Sequence, residues 1–409
     1  MKLKCRFCNT KLTNSFVDLG KMPLSNRFLN AEELNKPEHF YPLHAYVCDN
    51  CFLVQLPNMH SPKEIFEEYA YFSSVSLSWL DHAKRYTEKI ISEYSLSHKD
   101  FVVEIASNDG YLLRFFKEKS IPVLGIEPAK NVAKKAKSLG IPTVVDFFGI
   151  SLAKDLKEKG IKADLLIANN VLAHVPDLHD FVSGMKLLLS EKGIITVEVP
   201  HLLKLIEKNE FDTIYHEHFS YFSFYFLKRL FAHYELKIFD VEKLKTHGGS
   251  LRLYISHKRD DSKDDSYRVK ELEKEEKDAH INDLKIYKDF KTKVNKTKRE
   301  ILKFLIKAKD NGKKVVGFGA PAKGNVLLNY CGIREDLIDF VVDNNPYKQG
   351  KFLPGTHIPV YEPDKIKEAK PDYVVILPWN IKKEIAKEAS YIKDWGGRFV
   401  TFIPEVRVF

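Results

Sequence analysis

The chain has 409 residues, of which 44% are hydrophobic and 30% charged, and its net charge is +9. This length predicts two or three domains, and the spread-out positive charge suits an anionic small molecule better than a nucleic acid. No stretch approaches the roughly 18 uncharged apolar residues that span a bilayer, and no apolar core follows the basic residues at the N-terminus. We therefore predict a cytoplasmic protein without nucleic-acid or membrane partners.

Four of the five cysteines form two pairs near the N-terminus, Cys5-x-x-Cys8 and Cys48-x-x-Cys51. Each tight turn can present two sulfurs to one ion, which is typical of tetrahedral Zn2+ held by four thiolates. Two disulfides are the alternative, but a cytoplasmic location favours thiolates. Four sulfur ligands leave no position for water, so the predicted zinc is structural. The fifth cysteine, Cys331, is predicted to be an apolar core residue.

From about residue 100, short apolar runs alternate with amphipathic stretches. This alternation predicts parallel strands joined by helices in an α/β layered fold. The predicted strands are residues 101–105, 122–126, 143–145, 164–168 and 193–199, and the first helices are 111–118 and 129–139.

The C-terminal part begins with an almost continuously charged stretch, residues 260–310, which has apolar residues at helical spacing. This pattern predicts long exposed helices that join domains, with the charges simply solvated. A second α/β pattern follows, with predicted strands at residues 315–319, 340–343, 373–377 and 399–403.

The strand at 101–105 runs into Glu104-Ile-Ala-Ser-Asn-Asp-Gly110, which lacks the Gly-x-Gly-x-x-Gly spacing of a dinucleotide site. An acidic residue, a loop of small residues and then a helix suit a ligand with an amino-acid end and no phosphate. S-adenosylmethionine is such a ligand. Glu127 ends the next strand, where a carboxylate can accept hydrogen bonds from both ribose hydroxyls.

Two more polar residues follow strands of the same predicted sheet. Asp146, after the third strand, is placed to reach adenine, and Asn169, after the fourth, lies near the cofactor's amino-acid end. For each of them alone, an ordinary exposed residue at a strand end is the alternative. In series at the carboxyl ends of strands, where α/β folds bind ligands, they favour a cofactor site.

The segment Thr213-Ile-Tyr-His-Glu-His-Phe-Ser220 is the densest group of acid–base side chains, and His174 follows a strand at the same sheet edge. Methyl transfer to carbon requires that a proton leave beside a carbonyl and that the resulting oxyanion be stabilised. This set of side chains fits that demand. The alternative is that His216 and His218 cap a helix or, with Glu217, bind a metal. Tyr71 precedes the fold in a Tyr-Ala-Tyr-Phe-Ser-Ser motif.

Short motifs along the whole chain point to a known family. In the first half they are Cys5-Arg-Phe-Cys8, Met22-Pro-Leu-Ser25, Tyr71-Phe-Ser-Ser74, Gly125-Ile-Glu-Pro128, Tyr215-His-Glu-His-Phe219 and His247-Gly-Gly249. In the second half they are Gly317-Phe-Gly-Ala320, Ala322-Lys323, His357-Ile-Pro-Val360, Trp379-Asn380 and Pro404-Glu-Val406. In these motifs the chain resembles the bacterial nucleotide-sugar C-methyltransferases, which act at C3 of thymidine-diphosphate-linked 4-keto sugars.

The resemblance implies an α/β fold of three parts. These are a small zinc-binding domain over residues 1–70, a Rossmann-like class I S-adenosylmethionine-binding methyltransferase domain over 71–260, and a third region, 261–409. The third region would comprise a helical linker and a second Rossmann-like domain that binds the nucleotide-diphosphate sugar. We expect the protein to act as a monomer.

Carried over residue by residue, the resemblance implies that His218 is the general base that removes the C3 proton. Its companions around the sugar and the enolate oxygen would be Tyr71, His174, Tyr215 and Glu217. The cofactor-binding residues would be Glu104, Ala106, Asn108, Gly110, Glu127, Asp146 and Asn169. The chain departs from the family pattern at Ala106, where glycine is usual, and at His216, which replaces an acidic residue and receives no role.

The loop Gly317-Phe-Gly-Ala-Pro-Ala-Lys-Gly324, with Asp343 after the next strand, leaves an alternative open. Read alone it suggests an NAD(P)-dependent sugar-nucleotide oxidoreductase, although its glycine spacing is not that of the fingerprint. The loop amides and Lys323 are equally suited to a substrate phosphate. A non-catalytic sugar-nucleotide binder is a third possibility, against which the acid–base cluster argues.

Overall fold

A computed structural model of the chain describes residues 3–58, 73–75 and 77–409. Its strands form three sheets of four, seven and six strands. Among the helices of these residues, none is both long and apolar enough to cross a bilayer.

The N-terminal sheet contains β1 (Asn14–Met22), β2 (Tyr41–Val47), β3 (Val54–Gln55) and β9 (Ser220–Tyr221). These strands are antiparallel throughout, in the order β1-β2-β3-β9. The fourth strand comes from much later in the chain than the other three. Strand pairing therefore joins the cysteine-bearing part of the chain to the middle part.

The middle sheet contains β4 (Val102–Ile105), β5 (Val123–Ile126), β6 (Thr143–Val144), β7 (Ala163–Asn169), β8 (Leu189–Pro200), β10 (Leu236–Leu244) and β11 (Ser250–His257). Their order, β6-β5-β4-β7-β8-β11-β10, is that of the class I methyltransferase fold and confirms the predicted fold class. β4 to β8 are parallel, as the alternating pattern predicts, but β11 runs antiparallel to both neighbours. The connection from β10 to β11 is too short for a parallel crossover.

Helices cover both faces of this sheet, so all four residues of β4 and of β5 are buried. The helices are α1 (Leu77–Tyr94), α2 (Leu113–Glu118), α3 (Lys130–Ser138), α4 (Ile150–Glu158), α5 (Leu178–Leu188), α6 (Leu202–Glu207) and α7 (Phe224–His233).

The charged stretch forms two helices, α8 (Tyr267–Asp278) and the 27-residue α9 (Leu284–Asp310). They do more than join domains, because buried and mostly apolar residues recur every three or four positions along α9. Phe290 stacks on Phe16 of β1 with ring centroids 4.6 Å apart. Most charges of α9 are solvated, as predicted, while its apolar side packs on the N-terminal sheet. The prediction is wrong for Glu276 of α8, which is buried because it accepts from the amides of Phe224 and Tyr225 at the start of α7.

The C-terminal sheet contains β12 (Val315–Phe318), β13 (Val341–Val342), β14 (Val360–Tyr361), β15 (Tyr373–Ile376), β16 (Arg398–Thr401) and β17 (Arg407–Val408). All pairs are parallel except β16 with β17. Its helices are α10 (Ala322–Cys331), α11 (Lys365–Ala369) and α12 (Lys382–Glu388).

The segment after β1 packs against this C-terminal part. Asn325 Nδ2 donates to the carbonyl oxygen of Ser25 over 2.6 Å, and Leu29 pairs with Phe352 as an isolated bridge. The amide of Gly355 donates to the carboxylate of Glu38. Asn26 of the same segment donates to Glu217 of the middle part, so the segment after β1 contacts both other parts of the chain.

Candidate active site

The four paired cysteines converge, with their sulfurs all within 4.8 Å of one another. Cys5 Sγ lies 3.5 Å from Cys51 Sγ, and Cys8 Sγ lies 3.4 Å from Cys48 Sγ. A tetrahedral zinc with bonds of about 2.3 Å separates its sulfurs by about 3.8 Å, so the cluster fits Zn2+. In the described part of the chain, no other group of histidine, cysteine and acidic residues is close enough to hold a metal.

The two cysteine turns have the same backbone geometry. The amide of Asn9 donates to the Cys5 carbonyl and that of Phe52 to the Cys48 carbonyl, each over 3.0 Å. Asn9 and Phe52 both have left-handed backbone angles, with φ of 61° and 60°. Each turn thereby closes tightly enough to aim both of its sulfurs at one point.

The loop after β4 alternates between ordinary and left-handed backbone. Ala106, Asn108 and Gly110 have φ of 55°, 48° and 77°. A left-handed conformation costs a residue with a β-carbon about 1–2 kcal/mol, so the backbone at Ala106 favours the glycine that the resemblance leads us to expect there. Asn108 Oδ1 accepts from the amide of Ser73 over 2.9 Å, so this loop also holds the start of the segment before α1.

Two predicted cofactor carboxylates lie side by side at this edge. Glu127 accepts from the amides of Asn108 and Ala129, both over 2.9 Å, yet burial raises its pKa. Glu104 is fully buried, and its Oε2 has no hydrogen-bond partner among the described residues. Burial first, then the charge of Glu127, raises the pKa of Glu104 well above its usual value. A buried carboxyl oxygen that no described residue satisfies fits a site that receives the donor groups of a ligand.

The remaining two predicted cofactor residues differ in exposure. Asp146 is exposed beyond β6, where its Oδ1 accepts from the amide of Phe147. Asn169, the last residue of β7, has a buried Oδ1 that no described residue satisfies. Because β4 to β7 are parallel, all these residues meet at one edge of the sheet, as predicted.

The acid–base segment brings its side chains to the same edge. His218 Nδ1 lies 3.2 Å from the carbonyl oxygen of Thr213, and His174 Nδ1 lies 2.8 Å from that of Glu217. A carbonyl only accepts, so both Nδ1 atoms carry the proton and the lone pair of each neutral ring is on Nε2. The His218 ring centroid is 4.0 Å from that of Tyr215 and 4.8 Å from that of His174.

Burial sets the charge state of this cluster. It holds the pKa of His218 well below its usual range, with His174 adding to the effect, and lowers the pKa of His174 to about 4. Glu217 is buried and accepts from Asn26 Nδ2 over 2.6 Å. Burial raises the pKa of Glu217 to about 7, opposed by that hydrogen bond. Both imidazoles are therefore neutral at pH 7, and Glu217 exchanges its proton near that pH.

His216 and Tyr71 also belong to the motifs that point to the family. His216 points to the N-terminal domain, where its Nε2 lies 3.3 Å from the carbonyl oxygen of Tyr41. Among the described residues it forms no metal-binding group with His218, whose ring bonds to the Thr213 carbonyl. Tyr71 lies outside the described residues.

A buried acidic pair next to the cluster escaped the sequence analysis. Glu210 and Asp212 are buried, and burial raises the pKa of the first to about 8 and of the second to about 6. Asp212 Oδ2 accepts from Trp379 Nε1 over 2.7 Å, and Lys323 lies over the Trp379 ring and donates to Asn380. The pair thus faces a cation from the C-terminal domain. No local pattern marks this contact, since its partners are far apart in the chain.

His247 also belongs to this neighbourhood. It has φ of 51° and is followed by two glycines, and its ring lies 5.6 Å from that of Trp79. Burial, then the charge of Lys323, lowers the pKa of His247 to about 4. The His-Gly-Gly motif was the available signal, since a histidine with two glycines between strands indicates an unusual backbone.

The turn that carries His247 is held by a buried carboxylate. Glu198 accepts from His82 Nε2, Arg252 Nη2 and Thr246 Oγ1, each over 3.0 Å. Burial alone would raise the pKa of Glu198, but the hydrogen bond from His82 and the charge of Arg252 lower it to about 2. This ionised group fixes the start of the turn at Thr246.

In the glycine loop of the C-terminal domain, residues 317–324, a backbone amide that could face a ligand is already bonded to Asp343. Asp343 Oδ2 accepts from the amide of Ala320 over 2.7 Å and from Lys348 Nζ over 3.3 Å. In a nicotinamide site, this carboxylate would instead bind the ribose hydroxyls and the amide would face the pyrophosphate. The arrangement argues against the oxidoreductase alternative.

Family models match three successive parts of the chain. Residues 5–66 match a zinc binding domain, residues 79–241 a methyltransferase domain and residues 245–404 a C-methyltransferase C-terminal domain. A relative, the C-methyltransferase NovU of Streptomyces niveus, is 34% identical over 407 residues, which are 99% of this chain and 96% of that protein.

Solved structures match less than half of the chain. Magnesium protoporphyrin IX methyltransferase of Synechocystis PCC 6803, with bound S-adenosylmethionine, is 13% identical, with 43% of this chain and 78% of that chain covered and a TM-score of 0.33. The PH0226 protein of Pyrococcus horikoshii OT3 is 12% identical, with 48% and 97% covered and a TM-score of 0.38. The near-full-length match to NovU and the three family models decide the assignment. The chain belongs to the C-methyltransferase family and is an S-adenosylmethionine-dependent C-methyltransferase with an N-terminal zinc-binding domain.

Proposed function

We propose that this C-methyltransferase methylates C3 of a 4-keto sugar carried by a nucleotide diphosphate, with His218 as the general base. The observation that carries the proposal is the hydrogen bond from His218 Nδ1 to the Thr213 carbonyl, which leaves the lone pair on Nε2. A carbon beside a ketone does not lose its proton unaided at neutral pH, so a positioned base is required. S-adenosylmethionine supplies the electrophilic methyl group.

The lowered pKa of His218 leaves the ring free to accept a proton, but it also makes His218 a weak base. It keeps the imidazole neutral and able to accept a proton at pH 7. A weak base, however, needs a strongly stabilised enolate, because the free energy of proton transfer depends on both partners. The site must therefore provide donors to the enolate oxygen that are in place before the proton moves.

Two groups next to His218 are candidates for that stabilisation. Tyr215 carries a hydroxyl and its ring lies against the His218 ring. A protonated Glu217 can donate because its pKa is about 7. His174 donates its Nδ1 proton to the Glu217 carbonyl, so its Nε2 carries only a lone pair and would accept from a sugar hydroxyl. A carboxylic acid kept neutral by burial is an established device for stabilising an oxyanion.

The cofactor would lie at the carboxyl edge of β4 and β5. Glu127 is proposed to accept from the ribose hydroxyls, while the loop with Ala106, Asn108 and Gly110 would lie along the cofactor's amino-acid end. Asp146, at the exposed rim, would face the adenine. Asn169 Oδ1, which no described residue satisfies, would accept from the ammonium group at the cofactor's amino-acid end.

The nucleotide end of the substrate would lie on the C-terminal domain. Lys323 brings a positive charge from that domain close enough to lower the pKa of both His218 and His247. A diphosphate bound at Lys323 would place the attached sugar next to the base. The C-terminal domain would thus supply binding energy at a distance from the reacting carbon, which aligns the sugar for transfer.

Incubation with S-adenosylmethionine and a panel of nucleotide-linked sugars tests the proposal. The panel contains 4-keto sugars on thymidine and uridine diphosphate, with the matching 4-hydroxy sugars as controls. We expect one 4-keto member to gain a single methyl mass and to lose its C3 proton signal in the NMR spectrum. Methylation of the 4-hydroxy controls, or methylation on oxygen, would contradict the proposal.

A further inference from the structure

The segment that carries His218 continues directly into β9, which pairs with the N-terminal sheet and not with the sheet of the methyltransferase domain. Tyr221 is opposite Val54 of β3, and Ser220 is opposite Gln55. The amide of Leu56 also donates to the carbonyl oxygen of Phe219 over 3.0 Å. The backbone next to the proposed base is therefore held by the cysteine-bearing domain.

Gln55 links this strand to a zinc ligand. Its side chain is only 1% exposed, and its Nε2 donates to Cys5 Sγ over 3.2 Å. Its Oε1 accepts from the amide of Arg6 over 2.9 Å. The amide group of Gln55 thus donates to one residue of the first cysteine turn and accepts from another. The backbone of Gln55 lies opposite Ser220 of β9.

Arg6 lies inside the same cysteine turn, and its side chain contacts residues next to His174 and His218. Its guanidinium donates to the carbonyl oxygens of Leu56 and Pro176, the latter over 3.0 Å. It also lies 5.4 Å from the centroid of the Phe219 ring. Pro176 comes two residues after His174, so Arg6 contacts the neighbours of both imidazoles of the cluster.

We propose that Gln55 and Arg6 are positioning residues that couple the zinc site to the general base. Metal bound to Cys5 fixes the sulfur that Gln55 bonds, and Gln55 in turn fixes β3 against β9 and the backbone that follows His218. The zinc therefore sets the position of the base, in addition to stabilising its own domain. A displacement of about 1 Å at a reacting group can cost about a hundredfold in rate. The proposal rests on the role assigned to His218 above.

The test compares two variants of the full-length, zinc-loaded protein. Gln55→Leu removes both amide contacts while keeping a side chain of similar size. Arg229→Ala is the matched control, because Arg229 Nη1 donates to the Asn50 carbonyl of the second cysteine turn over 2.8 Å without contacting β9. Four quantities are measured: zinc per chain, the Kd for S-adenosylmethionine, kcat with KM, and the imidazole 15N signals of His218, assigned by their loss in His218→Ala.

For Gln55→Leu we expect one zinc per chain, a cofactor Kd within twofold of wild type and a kcat at least tenfold lower. We also expect the His218 15N signals to lose the pattern of a single Nδ1-protonated tautomer. Arg229→Ala should leave all four quantities unchanged. Unchanged kcat and unchanged His218 signals in Gln55→Leu would overturn the proposal, as would equal losses in both variants.

A second variant decides the matter if Gln55→Leu loses its metal. Arg6→Met keeps the apolar stem near Phe219 but removes the donors to Pro176 and Leu56, and it touches no sulfur. A lower kcat with zinc retained and altered His218 signals supports the coupling, whereas wild-type values in Arg6→Met overturn it. Failure of the proposed base is separate, because it appears as near wild-type methylation by His218→Ala.

Discussion

His218 donates its Nδ1 proton to the carbonyl oxygen of Thr213, five residues earlier, over 3.2 Å. Thr213 ends a short 3-10 turn, Phe211–Thr213, whose middle residue Asp212 accepts from Trp379 of the C-terminal domain. The tautomer of the proposed base is thus selected by a backbone group whose own position depends on contact with another domain. This relation connects domain docking to acid–base chemistry.

Replacing His218 by alanine should abolish methyl transfer and leave the binding of both ligands intact. The loss of a positioned base lowers the rate by about 10²–10⁴-fold. Calorimetry would measure binding and product mass the rate. In wild type, the C3 proton should exchange with heavy water without the cofactor, and this exchange should disappear in the variant.

His216→Gln is the matched control, because His216 is the adjacent imidazole but faces the Tyr41 carbonyl. It should methylate at near wild-type rate. If His218→Ala did so as well, the base would be another group, and Tyr215 and Glu217 would be tested next.

Zinc should be present at one ion per chain, and its loss should cost folding stability. Cys48→Ser removes one of four ligands, and in small metal domains the free energy of metal binding becomes free energy of folding. Metal analysis and thermal unfolding measure the two effects. Cys331→Ala is the control, since it removes a buried cysteine outside the cluster and should retain the metal. Zinc loss without a lower Tm would contradict the prediction.

The fold and the convergence of Glu104 and Glu127 at one sheet edge could be predicted because their signals are local. Alternating apolar runs predict strands such as β4 and β5, and the carboxyl ends of parallel strands necessarily bring Glu104 and Glu127 together. The pairing of β9 with β3 could not be predicted in this way. Both strands are two residues long, too short for a periodic pattern, and they are far apart in the chain.

The directions of the side chains in residues 215–218 could not be predicted from the sequence either. Tyr215, His216, Glu217 and His218 are consecutive, yet His216 faces the N-terminal domain while His218 faces Tyr215 and His174. The irregular backbone of this segment has no fixed period, so residue types alone left metal binding open. The family resemblance gave His218 the role of base, and the hydrogen bond to Thr213 adds the tautomer.

Gly248→Ala should destabilise the protein more than Gly160→Ala. Both glycines have left-handed backbones, with φ of 92° and 79°, which costs alanine about 1–2 kcal/mol. A β-carbon at Gly160 would meet nothing within 4 Å, whereas at Gly248 it would lie within 2.6 Å of the Glu210 carboxylate oxygens. The overlap should add about 1–3 kcal/mol to the free energy lost. Chemical denaturation measures the free energy of unfolding of both variants. Equal losses would contradict the prediction, because they would show that the Glu210 side chain moves away at no cost in free energy.

The contribution of Glu210 to stability should fall as pH rises from about 5 to about 8. Burial raises the pKa of Glu210 from 4.5 to about 8, so the folded state holds this proton more tightly than the unfolded state. In that pH interval the unfolded chain ionises and the folded chain does not, which favours unfolding. Each pKa unit corresponds to about 1.4 kcal/mol, so the loss amounts to a few kcal/mol.

Glu210→Gln cannot ionise and should flatten that pH dependence, as measured by Tm at several pH values. Other buried carboxyls act in the same direction, and the buried imidazoles of His174, His218 and His247 act in the opposite one. The informative quantity is therefore the difference between variant and wild type. Glu191→Gln, at an exposed residue, is the control and should retain the wild-type slope. An unchanged slope in Glu210→Gln would remove Glu210 as a cause.

Replacing Lys323 by alanine should weaken binding of the nucleotide sugar at least tenfold, with little change in the Kd for S-adenosylmethionine. Lys323 is held by Asn380 and lies over the Trp379 ring, so its charge is fixed in the cleft. Burial lowers the pKa of its ammonium, but the nearby Asp212 and Glu210 oppose this and favour the charged form. A diphosphate approaching this cation gains more than it would in open solvent, because the surrounding protein screens the charges less.

Lys313→Ala removes the same charge from an exposed position of the same domain and separates a local effect from one of net charge. It should leave both affinities unchanged, whereas Lys323→Ala should lose substrate affinity alone. The loss should also be smaller at high salt, because screening reduces the wild-type advantage. If NADH or NADPH instead bound wild type at micromolar concentration and lost affinity in Lys323→Ala, the loop before α10 would be a dinucleotide site. The engagement of Asp343 by Ala320 and Lys348 argues that no such binding will be seen.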